Sequence, residues 1–432
     1  MSRKTNQKIY LSVAIAALLS HSLNASAAND DELQAIRERV QQLESRINQP
    51  TAPVAGSASG ESAFNPAISL ILGGTYGNLE QDPSIPPTGF AMNPNPGHQQ
   101  GFNLGESELG IYANIDPEYR GVTTLALDPA GAISVENAFV QSSALGHGLN
   151  LKFGRYFSGL GYLNEQHAHA WDFVDQPLVY AALWGNQLGD DGVQLKWLAP
   201  TDRFFEVGGE VGRGRGFPGT DTVRNGNGAG VLFAHLGDDI GIEHSWRAGL
   251  SLHQTKRTNA KSNAVPDLAN TAGGVSNSFR GDSQTAGVDL IWKYAPNGNL
   301  RDRYMKLQGE YFRRKESGWL TYNLTTTGSY AVTQSGWYLQ GVYQFMPHWR
   351  TGLRYDRLDP GVAAVGAQNT GKVISNYAFN PSRTSLMMDY SPSEFSRLRL
   401  QLARDNTRQG MADNQLFVQY IMSLGAHGAH QF

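Results

Sequence analysis

From about Pro66 to the C-terminus, apolar and polar residues alternate with a period of two, and no run of about 18 apolar residues interrupts them. In 397–405, Leu398, Leu400 and Leu402 alternate with Arg397, Arg399, Gln401 and Ala403. In 349–356, Trp349, Thr351, Leu353 and Tyr355 alternate with Arg350, Gly352, Arg354 and Asp356. Ala286, Val288, Leu290, Trp292 and Tyr294 share one face, as do Leu416, Val418, Tyr420, Met422 and Leu424. These apolar faces tend to finish in Trp or Tyr, the residues that form girdles at lipid headgroups. A bilayer admits only helices or closed barrels, because nothing in it can hydrogen-bond a free backbone group. With spanning helices excluded, the alternation points to a transmembrane antiparallel β-barrel. The mean hydropathy of −0.38 suits it, since strands with one lipid face and one wet face hide their apolar half in the average. A soluble β-sandwich alternates too, but so many girdled strands favour the barrel.

The turns count the strands. Short polar connections fall at 116–120, 145–148, 199–202, 237–241, 295–300, 347–348 and 392–395. Longer Gly/Asn/Pro-rich ones fall at 78–103, 158–189, 213–226, 257–281, 316–334, 359–380 and 406–413, with a short exception at 129–132. Alternating short and long connections separate periplasmic turns from external loops. The tally is about sixteen strands, an even number that returns both ends of the barrel to the periplasm, and a barrel of that size leaves an aqueous channel. Phe432 keeps the parity of Leu424 and Tyr420, so the last strand is expected to run to the end.

Before the strands the pattern differs. Arg3, Lys4 and Lys8, the apolar stretch 9–19 and Ala25-Ser26-Ala27 read as a signal peptide over 1–27. Over 28–50, Leu33, Ile36, Val40, Leu43 and Ile47 follow a 3, 4, 3, 4 spacing that predicts a short periplasmic coiled-coil helix, begun near Asp30 and Asp31 and stopped at Pro50. Residues 51–65 read as a flexible linker, and 66–432 as the barrel. The formal charge is −3, and subtracting the three cations of the signal peptide leaves −6, which does not suggest a nucleic-acid partner. With no cysteine, disulfides and thiolate metal sites are excluded.

The longest external connection that could carry chemistry is 158–189, the third, between strands five and six. It holds Glu165, His167, His169, Asp172 and Asp175, followed by Asp190 and Asp191. Cations occupy the inward parity elsewhere: Lys152, Lys196, Lys306, Arg350, Arg354, Arg383, Arg397 and Arg399. If the loop folds inward, as the corresponding porin loop does, acids and bases face each other across a wet constriction and set a transverse field that filters polar solutes. No cofactor is required by this reading. Zinc is the possible ligand, on His167, His169, Asp172 and Asp175 or on His427 and His430 near the C-terminus. A Gly-rich run at 214–219 matches a dinucleotide fingerprint but contains Pro218 and precedes no helix. No nucleophile, base and orienting acid form a legible set, so enzyme activity is not expected.

At YLNEQHAHAWDFVDQPLVY (162–180), GDDGVQLKWLAPTD (189–202) and SLGAHGAHQF (423–432) the chain resembles a family commonly labelled zinc-regulated TonB-dependent outer-membrane receptors, over about Phe64 to the end. The label implies expression linked to zinc and zinc uptake. The coiled coil and overall plan are similar to trimeric porins. A TonB-dependent receptor carries a plug domain before a barrel of about 22 strands, whereas only a helix and a linker precede strand one here. The expectation is therefore a porin-like homotrimer in outer-membrane lipid, passing small hydrophilic solutes. A zinc-selective barrel is the alternative, and a structural barrel that tethers the envelope a second one. The coil itself is testable. Replacing Ile36, Val40 and Leu43 with Asp is expected to weaken the oligomer and leave the barrel folded. An unchanged mass by light scattering in detergent would mean that the barrel walls alone hold the protomers.

Overall fold

The computed structural model describes residues 66–83, 85, 87–90, 99–105, 107–128, 131–219, 227–261, 277–372 and 378–425. The expected signal peptide (1–27), coiled-coil helix (28–50) and linker (51–65), and His427, His430 and Phe432, lie outside the described residues.

Among the described residues sixteen main strands form one closed antiparallel barrel. The first eight are β1 (Ala67–Asn78), β2 (Ser107–Asn114), β3 (Tyr119–Leu127), β4 (Ile133–Ser142), β5 (Leu149–Phe157), β6 (Gly189–Leu198), β7 (Phe204–Gly212) and β8 (Ala229–Ile240). The rest are β9 (His244–Lys261), β10 (Ser278–Tyr294), β11 (Tyr304–Tyr322), β12 (Thr326–Met346), β13 (Trp349–Asp359), β14 (Ser382–Ser393), β15 (Ser396–Arg408) and β16 (Met411–Gly425). Two short segments, Gly101–Asn103 beside β1 and Ala364–Val365 beside β12, extend the same sheet. Each strand pairs with its neighbour in sequence, and β1 pairs with β16 from Ser69↔Gly425 to Asn78↔Leu416. The ring therefore has no open edge. No described helix is long and apolar enough to cross a membrane.

The wall is inside out relative to a soluble protein. On β15, Leu398, Leu400 and Leu402 are 51%, 44% and 49% exposed, while Arg399 and Gln401 between them are buried. On β13, Leu353 is exposed and Arg354 and Asp356 are buried; on β10, Val288 and Leu290 are exposed and Asp289 is buried. An aqueous fold could not leave so much aliphatic surface outside. At the short-turn end, Trp292 stacks with Tyr294, and Trp349 lies 4.6 Å from Tyr390, which forms part of the expected aromatic belt.

Two expected loops are largely strand, and a third gives up both its ends to strands. The connection read at 316–334 shrinks to 323–325, because β11 runs to Tyr322 and β12 starts at Thr326. Likewise the 406–413 connection narrows to 409–410, and β9 and β10 take up 257–261 and 278–281, the two ends of the connection read at 257–281. The expected 237–241 turn moves to 241–243, since β8 continues to Ile240. Outside the bilayer both faces of a strand meet water, so the hydropathy alternation fades while the backbone ladder continues, as in Ser278↔Thr321 and Thr321↔Thr327. The β11–β12 hairpin closes with positive φ at Asn323 (45°) and Leu324 (57°), a geometry that matches the right-handed strand twist. Strands β2 to β7 hold 8 to 10 residues, about one bilayer crossing, against 17 to 21 for β9 to β12. The lipid face is testable: Leu290→Lys or Leu400→Lys is expected to cost about 2 kcal/mol or more in unfolding titrations from lipid vesicles. Unchanged stability in both variants would mean that this face does not meet lipid.

Candidate functional site

After Phe157 the chain turns into the barrel, and residues 158–188 cross its interior before β6 begins. The loop sits where the sequence reading expects it, between β5 and β6. Its neck is tied by one side chain. The Asn164 amide donates to the carbonyls of Ser158 (2.8 Å) and Leu188 (2.9 Å), and its oxygen accepts the Leu188 N–H (2.7 Å). On one wall, Glu210 of β7 accepts the Gly159 N–H at 2.8 Å. Glu310 of β11 accepts the N–H groups of Tyr162 (3.0 Å) and Leu163 (3.2 Å) and the hydroxyls of Tyr180 (2.8 Å) and Tyr338 (2.6 Å). The backbone comes this close because residue 161 is glycine with φ +68°, where a Cβ would collide with the Glu310 carboxylate and the Tyr180 hydroxyl.

On another wall the loop is held by ion pairs. Asp172 meets Lys306 of β11 and Arg350 of β13, the latter at 3.3 Å. Asp175 meets Arg354 of β13 at 2.9 Å and Arg383 of β14. Arg354 also donates to the Asp175 carbonyl at 2.8 Å and to Asp356 at 2.9 Å. Arg399 of β15 donates to the Trp171 carbonyl at 2.8 Å and to Asp389 at 2.7 Å. Arg397 reaches the carbonyls of His169 and Trp171, each at 3.4 Å. These acids and arginines are therefore in contact and mostly buried, and do not face one another across open water as the sequence reading expects. The reason is reach: the loop crosses far enough to touch the opposite wall, and a charge next to an arginine fork forms a direct pair there.

Between these anchors lies a short helix, α1 (Leu178–Trp184), with all seven residues buried. Asp356 accepts the Leu178 N–H at its start (2.9 Å), and Arg314 donates to the Leu183 carbonyl at its end (3.0 Å). Gly185, at φ 65°, ends the helix in the left-handed conformation that glycine favours. Trp184 packs edge-on against Phe312 at 4.7 Å, and Leu178, Val179, Tyr338 and Leu358 complete an apolar core inside the lumen. This part of the lumen is therefore apolar, which the sequence reading does not anticipate.

His167 and His169 go elsewhere. His167 Nδ1 lies 2.7 Å from Glu136 of β4 and 3.2 Å from Glu108 of β2, and its Nε2 lies 2.9 Å from the Asn137 amide. His169 Nδ1 lies 2.8 Å from the other Glu108 oxygen. The expected metal set of His167, His169, Asp172 and Asp175 thus splits in two, because the arginines and Lys306 claim both aspartates. Glu165 remains partly accessible, 3.7 Å from Lys152 of β5 and 3.4 Å from Lys196 of β6. Those three residues and Glu206 line a cavity of about 410 Å³, together with Gln141, Asn150 and Gln194. Asp190 and Asp191 begin β6, where Asp191 pairs with Arg155 at 2.6 Å. Glu108, Glu136, Glu310 and Asp389 are absent from the sequence reading, which places Asp356 on an alternating strand and gives it no role. Glu310 shares the lumen-facing parity of Gln308 and Phe312, a signal that was available.

No family model matches the sequence. A protein of Aquifex aeolicus (strain VF5), described as uncharacterized, is 29% identical over 400 residues, which cover 86% of this chain and 81% of that one. In fold the chain is similar to the trimer form of OmpT, an outer-membrane protein of Vibrio cholerae, at 12% identity over 84% of this chain and 100% of that one, with a TM-score of 0.51. It is also similar to an anion-selective porin from Comamonas acidovorans, at 13% identity over 83% and 99% of the two chains and a TM-score of 0.50. OprB of Pseudomonas putida matches at 14% identity over 84% and 94%, with a TM-score of 0.51. These likenesses establish an outer-membrane barrel fold of the porin kind, with sixteen strands where a TonB-dependent receptor has about 22.

Removing one partner of a buried ion pair strands the other charge. Asp175→Ala is accordingly expected to cost about 3 kcal/mol in unfolding experiments and to make 158–188 a protease target. Glu165→Gln, at a partly exposed pair, is expected to stay within about 1 kcal/mol of the parent. Equal behaviour of the two variants would mean that the ion pairs do not hold the loop.

Proposed function

We propose that this protein is a porin-like channel of the Gram-negative outer membrane, exported by its signal peptide, through which small hydrophilic solutes diffuse. The observation that carries the reading is the inner wall itself: a closed barrel whose inward face holds many Gln, Asp, Glu, Lys and Arg residues, with a loop fastened inside it. A wall built to be dry would be lined with aliphatic residues throughout, whereas here the aliphatic rows face outward and inward aliphatics such as Val231 and Leu358 pack with the loop. A catalytic reading finds no comparable support, since the loop acids are engaged by Lys and Arg. Assembly into trimers is part of the proposal, in keeping with the trimer form of the similarly folded OmpT.

In this reading the paired Asp172 and Asp175 set the shape of the passage, and the filter lies at Glu165, Glu206, Lys152 and Lys196, which keep contact with the cavity. Charges of both signs along one water-filled space orient polar solutes and discriminate between ions.

Planar-bilayer recording of the purified protein tests both parts. Lys152→Gln with Lys196→Gln is expected to move the reversal potential toward cation selectivity, and Glu165→Gln toward anion selectivity. Both shifts should shrink between 0.1 M and 1 M salt as the Debye length falls from about 10 Å to about 3 Å. Absence of any conductance would overturn the channel reading. Selectivity untouched by either variant would overturn the placement of the filter.

A further inference from the structure

The channel reading leaves Glu108, Glu136, His167 and His169 without a role. We propose that Glu108, Glu136 and His167, with His169 beside them, form a binding site for one divalent first-row transition cation, which fastens the inward loop to β2 and β4.

Geometry is the first argument. One oxygen from each glutamate and one His167 nitrogen all lie within 4.8 Å of one another. Donors bound tetrahedrally at about 2.1 Å stand roughly 3.4 Å apart. The spacings of 2.7 Å and 3.2 Å around His167 Nδ1 need to open by about 0.7 Å and about 0.2 Å to admit such an ion. His169 Nδ1, 2.8 Å from Glu108, stands beside them as a further donor.

Backbone construction is the second. Opposite Thr124 and Leu125 the ladder of β4 skips from Asn137 to Val135, so Glu136 is the extra residue of a β-bulge. Strict alternation would send Glu136 and Asn137 to opposite faces. The bulge lets both contact His167, at 2.7 Å and 2.9 Å. Bulges re-aim side chains beside functional sites at the expense of local pairing. The Asn137 side-chain amide stands 2.9 Å from the remaining His167 nitrogen, and with its oxygen turned to that nitrogen it accepts the Nε2–H of an imidazole that ligates through Nδ1.

The choice of partners is the third. Where the loop needs a permanent ion pair, the wall or loop supplies lysine or arginine: Lys306 and Arg350 for Asp172, Arg354 and Arg383 for Asp175, Lys152 and Lys196 for Glu165. Glu108 and Glu136 instead meet imidazoles, the only cationic partners in the chain's repertoire that also ligate metals when neutral. Two carboxylates bring two negative charges, which one divalent ion balances. A mixed oxygen and imidazole set suits Zn²⁺, Co²⁺, Fe²⁺ or Mn²⁺ over Ca²⁺ and Mg²⁺, which prefer all-oxygen sites.

The test is metal binding by the full chain, folded in detergent and stripped of metal. Zn²⁺ is titrated by calorimetry and Co²⁺ by its visible absorption, with Mg²⁺ as the comparison and heat-modifiable gel migration as the check on folding. One equivalent per protomer is expected, weakened at least tenfold in folded His167→Ala and in folded Glu136→Gln, and about tenfold in Asn137→Ala. It should be intact in the His427→Ala, His430→Ala double variant and in His147→Ala. Bound Zn²⁺ should also slow proteolysis within 158–188. Failure to bind Zn²⁺ or Co²⁺, equal binding of Mg²⁺, or binding that survives in both His167→Ala and Glu136→Gln would overturn the site. So would loss in the His427/His430 variant alone. Conductance is not part of this readout, so failure here leaves the channel reading to its own test.

Discussion

The structure depends on the inability of a bilayer to satisfy backbone hydrogen bonds. Each amide of the wall must find its partner within the sheet, and the sheet must leave no edge in hydrocarbon. Pairing of β1 with β16 meets that demand. Once the ring is closed, pleating assigns every side chain to lipid or lumen, so the exposed leucines and buried arginines of β13 and β15 follow from one backbone fact. The lumen inherits the polar residues by exclusion, and its chemistry is built from them.

Within the lumen the loop behaves as a second chain docked onto the first. Backbone groups that would otherwise stay unpaired in the crowded interior are taken up by side chains of the wall: Glu310 for Tyr162 and Leu163, Asp356 for Leu178, and Arg399 for Trp171. Buried ion pairs add little net stability, since each charge loses its water. Their effect is specificity, because a displaced loop would take the Asp175 carboxylate away from both Arg354 and Arg383. The apolar contact of α1 with Phe312 and Tyr338 supplies the hydrophobic contribution that the ion pairs do not.

Carboxylates in this interior receive three kinds of partner, each with a different consequence. Lysine and arginine neutralise Asp172, Asp175 and Glu165 permanently. Tyrosine hydroxyls and backbone amides surround Glu310 and make it a joint. Imidazoles meet Glu108 and Glu136, and these can exchange protons for a metal. The same residue type thus serves as brace, joint and proposed ligand according to what the neighbouring strand presents.

The period-two pattern determined the barrel and the lipid-facing leucines of β10, β13, β15 and β16, and the turn residues between its stretches determined the strand count and the position of the long loop after β5. These are local properties, readable because pleating repeats every two residues and turns have their own residues. Only the tertiary structure decided which wall each loop residue meets. Asp172 and Asp175 are five and eight residues from His167 in sequence, yet their partners lie on β11, β13 and β14 while those of His167 lie on β2 and β4. The bulge at Glu136 breaks the parity on which the sequence reading relies, and the extramembrane ends of β11 and β12 lack the hydropathy contrast that marks a strand. Partner choice in a closed ring depends on how far a loop reaches across it. That distance is set by the curvature of all sixteen strands together, and no single stretch of sequence encodes it.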